Sequence, residues 1–172
     1  RPADEIETAE AWQIALESRS TPSILALTRQ NLPCVRTVHT DDNLSAHGAY
    51  ELAPAQGAAK VSLFASGSEV SLALEAQKML AEKNIAARVV SVPCLDLFMQ
   101  QSEAERARVI GTAPLRIAIE AGVRMGWDGV IGTDGIFIGM NSFGESGPYK
   151  KLYEHFGITS QAVVAAALAR IS

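Results

Sequence analysis

An arginine closes an apolar run in the segment Ser23-Ile24-Leu25-Ala26-Leu27-Thr28-Arg29-Gln30-Asn31-Leu32-Pro33. The run predicts a buried strand that surfaces at Thr28, and the crevice outside a strand's carboxyl end is where open α/β sheets bind ligands. A guanidinium there can donate two parallel hydrogen bonds to a phosphate or carboxylate, and it stays charged at any working pH. The plainer alternative is a structural ion pair. A second candidate, Ser66-Gly67-Ser68-Glu69, joins a strand to a helix, where free amides can hold an anion. It lacks the further glycines of a dinucleotide fingerprint and the lysine of a phosphate loop, so an ordinary helix cap is the simpler reading. Glu120 leaves the strand Leu115-Arg116-Ile117-Ala118-Ile119 where a catalytic carboxylate could stand. No second acid or base is identifiable beside it, which favours structural pairing or an interface role. His39, His47 and His155 have neither metal-ligand spacing nor a carboxylate partner in the pattern, so they read as solvated or packing residues. The loop Gly139-Met140-Asn141-Ser142-Phe143-Gly144-Glu145-Ser146-Gly147 mixes glycines with one large aromatic, which suits a ligand lid or a subunit contact.

These candidates need elements to position them. Asp4 followed by Glu7 predicts a capping box, and Ile6, Ala9, Trp12 and Leu16 fall at helical spacing behind it. Thr21-Pro22 ends that helix, and residues 23–28 are expected as a strand. A single helix and strand cannot cover both faces of the strand, so this is half of a unit whose remainder is not in the sequence. The apolar face bearing Trp12 and Leu16 is therefore expected to be covered by the rest of the chain or by another chain. Residues 34–47 lack periodicity and carry turn formers, and they read as an exposed linker. Beyond it a βαβ alternation sets in: strands near 48–52, 60–66, 87–92, 115–119 and 135–139, with helices at 68–83, 102–110, 148–156 and 159–171. Their continuous apolar runs favour a parallel sheet. Ser68 and Ser102 are expected N-caps, and Asn84 is an expected left-handed helix end. Tyr149, Leu152, Tyr153 and Phe156 form an apolar stripe between Pro148 and Gly157, expected in the core.

Composition narrows the function classes. At 172 residues, with 48% hydrophobic and 20% charged residues and a net charge of −4, the chain has the makings of one good core and no basic field for nucleic acid. No apolar run is long enough to span a bilayer, and no leader precedes the first helix, so a cytoplasmic protein is expected. Cys34 and Cys94 are far apart with no zinc-knuckle or dithiol spacing, and both are expected reduced. The first residue is Arg1, without a methionine, and enters a helix at once, which reads as a chain cut in mid-protein.

Several segments in order resemble the C-terminal third of transketolases. These are Arg1-Pro2-Ala3-Asp4, Thr28-Arg29-Gln30-Asn31-Leu32-Pro33, Gly48-Ala49-Tyr50, Ser66-Gly67-Ser68-Glu69-Val70, Ala87-Arg88-Val89-Val90-Ser91-Val92-Pro93, Glu120-Ala121-Gly122, Phe143-Gly144-Glu145-Ser146-Gly147-Pro148, and Tyr153-Glu154-His155-Phe156-Gly157-Ile158-Thr159. The resemblance implies a three-layer α/β/α fold with a mostly parallel, five-stranded mixed sheet, preceded by the helix-strand unit. Residues 1–33 would then end the pyrimidine-binding domain of a thiamine enzyme, 34–47 link, and 48–172 form the C-terminal domain. It also implies a parent transferase, cytoplasmic and homodimeric, that uses thiamine diphosphate and Mg2+ (or Ca2+) to move a two-carbon ketol unit between phosphorylated sugars in the pentose phosphate pathway. Of the family's functional residues only the substrate-phosphate arginine finds a match, at Arg29, with Gln30 and Asn31 shaping its loop. No catalytic, cofactor-binding or metal-binding residue of the family falls in this sequence, so the chain alone is expected to be inactive. Trp127-Asp128-Gly129 departs from the family's more aromatic and basic wording. Related readings are a 2-oxo acid dehydrogenase component, a deoxyxylulose-phosphate synthase, or a free-standing α/β assembly module; the Thr-Arg-Gln-Asn-Leu-Pro wording argues for transketolase.

Overall fold

The computed structural model describes residues 1–171. Five strands, β1 (Tyr50–Ala53), β2 (Val61–Ala65), β3 (Ala87–Ser91), β4 (Leu115–Glu120) and β5 (Ile136–Gly139), form one sheet in the order β1-β3-β2-β4-β5. β1 runs antiparallel to β3, and the other pairings are parallel. The central strands β2 and β3 are buried at every residue, which is why they read as mainly apolar runs, broken by Ser62, Arg88 and Ser91, rather than alternating ones. Leu63, Val89 and Ile117, in register across three strands, face α2 (Glu69–Ala81) and α7 (Ser160–Ile171). Phe64, Val90 and Ala118, one residue on, face the other way, toward α3 (Leu95–Met99), α4 (Glu103–Ile110) and α5 (Asp128–Ile131). The expected mostly parallel mixed sheet between two helical layers is what the chain forms.

Local signals act as their chemistry dictates in most places. Ser102 accepts from the Glu105 amide at 3.2 Å, and Asn84 takes φ 58 after α2. Because the Ser102 cap is solvent-facing, Ser102→Ala should cost about 1 kcal/mol, read as a fall of a few degrees in the thermal midpoint. Ser68 does not cap α2; its hydroxyl donates instead to the Glu69 carboxylate at 2.6 Å. The stripe on α6 (Tyr149–Phe156) leans on the core without entering it: Tyr153 and Phe156 are half-buried and Tyr149 is exposed.

The first forty residues differ most from expectation. α1 (Glu5–Glu17) forms, but no strand follows it: residues 18–43 contain neither helix nor strand, and Ile24 is 93% exposed. An extended segment becomes a strand only when a neighbour shares its hydrogen bonds, and none of the described residues does so here. α1 is also rolled over relative to its sequence pattern. Trp12 and Leu16 are 52% and 75% exposed, so the rest of the chain does not cover them, whereas Glu7 is fully buried. The segment 34–47 is tied down rather than free, with Arg36 and Ser45 both buried and a 3-10 turn at Leu44–His47.

Candidate functional site

Arg29 sits on a turn held locally, since the Gln30 amide donates to the Thr28 hydroxyl at 3.1 Å. Its side chain is exposed and makes no ion pair or hydrogen bond among the described residues, so the structural ion pair considered from sequence does not form within this chain. Gln30 and Asn31 border two neighbouring clefts. One lies against the start of α1 at Asp4, Glu5 and Thr8; the other lies between α2 and α6, beside Ser68, Lys150 and Tyr153. The turn thus lies outside the carboxyl ends of the parallel strands, beyond Gly67 and Ser68, as a ligand-binding edge requires.

Beneath it is a polar cluster whose members come from α2, β4, α6 and the segments beside them. Arg1 donates to the Glu69 carboxylate at 2.8 Å and to Glu120, and its carbonyl accepts from the Gly67 amide at 3.0 Å. Glu69, fully buried, also accepts from the Ala121 amide at 3.1 Å and from the Tyr153 hydroxyl. Glu120 accepts from Ser66 at 3.1 Å and from the indole N–H of Trp127, itself 3% exposed. Burial alone would lower the Arg1 guanidinium, but Glu69 and then Glu120 hold it above its ordinary value. Burial, followed by Glu69, pushes the Tyr153 phenol up. Glu120 is therefore a structural partner, and the anion cradle at Ser66-Gly67-Ser68 is filled by this chain's own carboxylates and by the carbonyl of Arg1. Sequence reasoning found Glu120 but missed Glu69, which looked like a routine first-turn acid complementing the helix dipole. It missed Arg1 altogether, because no short-range pattern marks a contact 119 residues apart.

A third polar group docks α1. Asp4 caps the helix through the Glu7 amide at 2.9 Å and also accepts from the Val35 and Arg36 amides at 3.0 and 3.1 Å. Glu7 accepts from Tyr50 at 2.7 Å, Ser91 at 2.6 Å and the Ala3 amide at 2.7 Å. Glu10 is paired with Arg36 and accepts from the Ser45 amide and hydroxyl at 3.0 and 2.7 Å. Burial drives the Glu7 carboxyl upward, only partly offset by its hydrogen bonds. For Glu10 burial acts in the same sense but is outweighed by Arg36 and Ser45, and its carboxyl falls below the usual range. Asp4, Glu7 and Glu10 occur every third residue, of which the sequence reading used only Asp4 and Glu7, as a capping box.

The remaining candidates stand apart. His39 contacts Asp41 at 3.2 Å, both fully solvated, and His155 meets Phe156 edge-on at 4.8 Å. Cys34 and Cys94 are free thiols. Phe143 is 97% exposed at the tip of the glycine-rich loop. Among the described residues no three of His, Cys, Asp or Glu gather as a ligand set for a metal ion, and no helix is long and apolar enough to cross a membrane.

The profile of the transketolase-like TK C-terminal domain matches residues 48–159. The chain is 53% identical over 171 residues to a transketolase of Cereibacter sphaeroides, covering 99% of this chain and 26% of that one. It superposes with a TM-score of 0.88, at 37% identity, on a transketolase of Pichia stipitis solved in complex with sedoheptulose-7-phosphate, covering 98% of this chain and 24% of that one. A split-gene transketolase, described as an inactive beta4 tetramer, matches at 28% identity with a TM-score of 0.79, covering 98% of this chain and 55% of that one. The chain spans about a quarter of the length of the curated relatives it matches. Sheet order, buried core and sequence agree in one assignment: the chain belongs to the transketolase family and carries its C-terminal domain.

Proposed function

We propose that this chain is the C-terminal part of a transketolase that moves a two-carbon ketol unit between phosphorylated sugars, and that Arg29 receives the sugar's terminal phosphate. The observation that carries the reading is Arg29 itself: an unpaired, exposed guanidinium on a fixed turn at the ligand-binding edge of a domain of this family. Its role is positioning, because the phosphate lies at the end of the substrate remote from the bonds that change. The Pichia stipitis relative, solved with sedoheptulose-7-phosphate, supports a phosphorylated sugar as the substrate class.

In this reading residues 1–33 belong to the pyrimidine-binding domain, 34–47 are the linker and 48–172 the C-terminal domain, in a cytoplasmic homodimer. Trp12 and Leu16 are then covered by the preceding part of the parent or by its partner. The residues described offer thiamine diphosphate a poor fit, since the amide cradle at Gly67 is closed by Arg1 and flanked by Glu69 and Glu120, which repel a diphosphate. The cofactor and its divalent metal are accordingly assigned to the parts of the parent outside this chain. The isolated chain should have no ketol transfer activity, as the inactive split-gene relative suggests.

In the full-length enzyme Arg29→Ala should raise the Michaelis constant for phosphorylated substrates by about 10- to 100-fold, the equivalent of roughly 1.5–3 kcal/mol for a charge-assisted contact. A donor without a phosphate should be turned over as before. Steady-state kinetics on both substrate types decides it, and an unchanged constant for the phosphorylated one refutes the role.

A further inference from the structure

We propose that the opposite edge of the sheet carries a second anion site, for the phosphate group of a hydroxylated small molecule. β2, β4 and β5 are parallel, so their starts share this edge. Lys60 immediately precedes β2, Arg116 is the second residue of β4, and Arg170 lies near the end of α7, which packs on β4 and β5. All three line one cleft of about 870 Å³, a size within the range of small-molecule sites.

These cations share one cleft and none of them is compensated among the described residues. Arg1, Arg36, Arg88, Arg108 and Arg124 each have a carboxylate. The side chains of Lys60, Arg116 and Arg170 have no hydrogen bond or ion pair among the described residues. Like charges that line one concavity repel one another, and an acidic chain of net charge −4 has carboxylates enough to have paired them. A bound dianion relieves that repulsion, and guanidinium and ammonium groups are the donors that suit it. Thr112 and Thr133, whose hydroxyls make no hydrogen bond among the described residues, add hydroxyl donors to the same cleft. Ser62, in register with Arg116 and on the same face of the sheet, is fully buried with its hydroxyl unpartnered, though it does not itself line the cleft. Asp134 is the one carboxylate of the lining and can accept from a hydroxyl of the ligand's body, while Pro114 and Ile131 supply apolar wall. A nucleic acid is disfavoured by the chain's overall negative charge.

The test is equilibrium binding of inorganic pyrophosphate and inorganic phosphate to the full-length holoenzyme at fixed ionic strength, in an Arg29→Ala background that removes the other phosphate position. One saturable site per chain is expected. Arg116→Gln should weaken it roughly tenfold, and Lys60→Gln or Arg170→Gln several-fold each. Asp134→Asn should tighten it several-fold, a gain that misfolding cannot imitate. The proposal is overturned if Arg29→Ala alone abolishes binding, if binding does not saturate, or if Arg116→Gln and Asp134→Asn leave the affinity unchanged, which would mean diffuse surface charge only. Failure of the Arg29 kinetics leaves this result standing, and the reverse also holds.

Discussion

Glu7→Ala should lower the stability of the protein by about 3–5 kcal/mol, because it strands two hydroxyls and an amide in a place water does not reach. Tyr50, Ser91 and Ala3 all donate to this one fully buried carboxylate. Glu7→Gln separates the hydrogen bonds from the charge. With its carbonyl turned to the Ala3 amide and its NH2 to the two hydroxyls, every partner is kept, and the cost at neutral pH should stay within about 1 kcal/mol. The two variants also differ in pH dependence. Burial raises the folded Glu7 carboxyl above its unfolded value. Stability is therefore greatest while the group is protonated in both states, and it falls as pH climbs from the usual glutamate range through the raised value. Glu10 has the opposite sign: its lowered folded value contributes stability above the usual range that is lost as pH falls through that value. Urea denaturation from about pH 4 to pH 8 should show Glu7→Gln with a flatter upper limb than the parent. Identical slopes would mean that the Glu7 carboxyl holds its proton equally well in the folded and unfolded states, and would refute the upward shift.

Gly48→Ala is expected to be nearly as damaging, at about 3–5 kcal/mol, for steric rather than polar reasons. Gly48 has φ 78, and a Cβ there would lie 2.1 Å from the Phe98 amide nitrogen and 2.6 Å from the Cys94 carbonyl oxygen. Both obstacles are backbone, and the Cys94 amide in turn donates to the Gly48 carbonyl at 3.1 Å. Relief requires moving α3, which carries the fully buried Phe98. Thermal unfolding should report a fall of roughly 6–20 °C for a chain of this size. Gly57→Ala is the control: φ is 88 there but a Cβ would meet nothing, so only the backbone strain of about 1–2 kcal/mol should remain.

The sheet was legible in the sequence because burial on both faces leaves a mainly apolar run, as in Val61-Ser62-Leu63-Phe64-Ala65, where only Ser62 is polar. The same signal misled at Ile24-Leu25-Ala26-Leu27, since composition reports a wish for burial and a strand needs a hydrogen-bonding neighbour as well. α3 and α5, of five and four residues, are too short to show a period and are stabilised by tertiary packing alone. On α1 the periodicity was correctly read as a helix but assigned to the wrong face. Carboxylates at every third residue look solvated until Tyr50, Ser91 and Arg36 arrive from distant segments. Arg29 stood out in the sequence through wording typical of the family, although a structural ion pair was the plainer reading of the residue alone, whereas Arg1, Glu69 and the three cations of the amino edge are joined only by the fold.

Hydrogen bonds fix a direction where apolar contacts fix little more than a distance, and α1 is attached almost wholly by the former. Its attachment is therefore a bearing as well as an anchor. A helix of 13 residues is about 20 Å long, so a swivel of some 5° about Glu7 carries an end by roughly 1 Å, enough to misalign a hydrogen bond. The Gln30–Asn31 turn shares a cleft with the start of this helix. Because the pivot lies near the start of α1, such a swivel moves mainly the far end, and small changes in proton occupancy at Glu7 or Glu10 would be felt as a displacement of the exposed face that carries Trp12 and Leu16, long before the domain lost its fold.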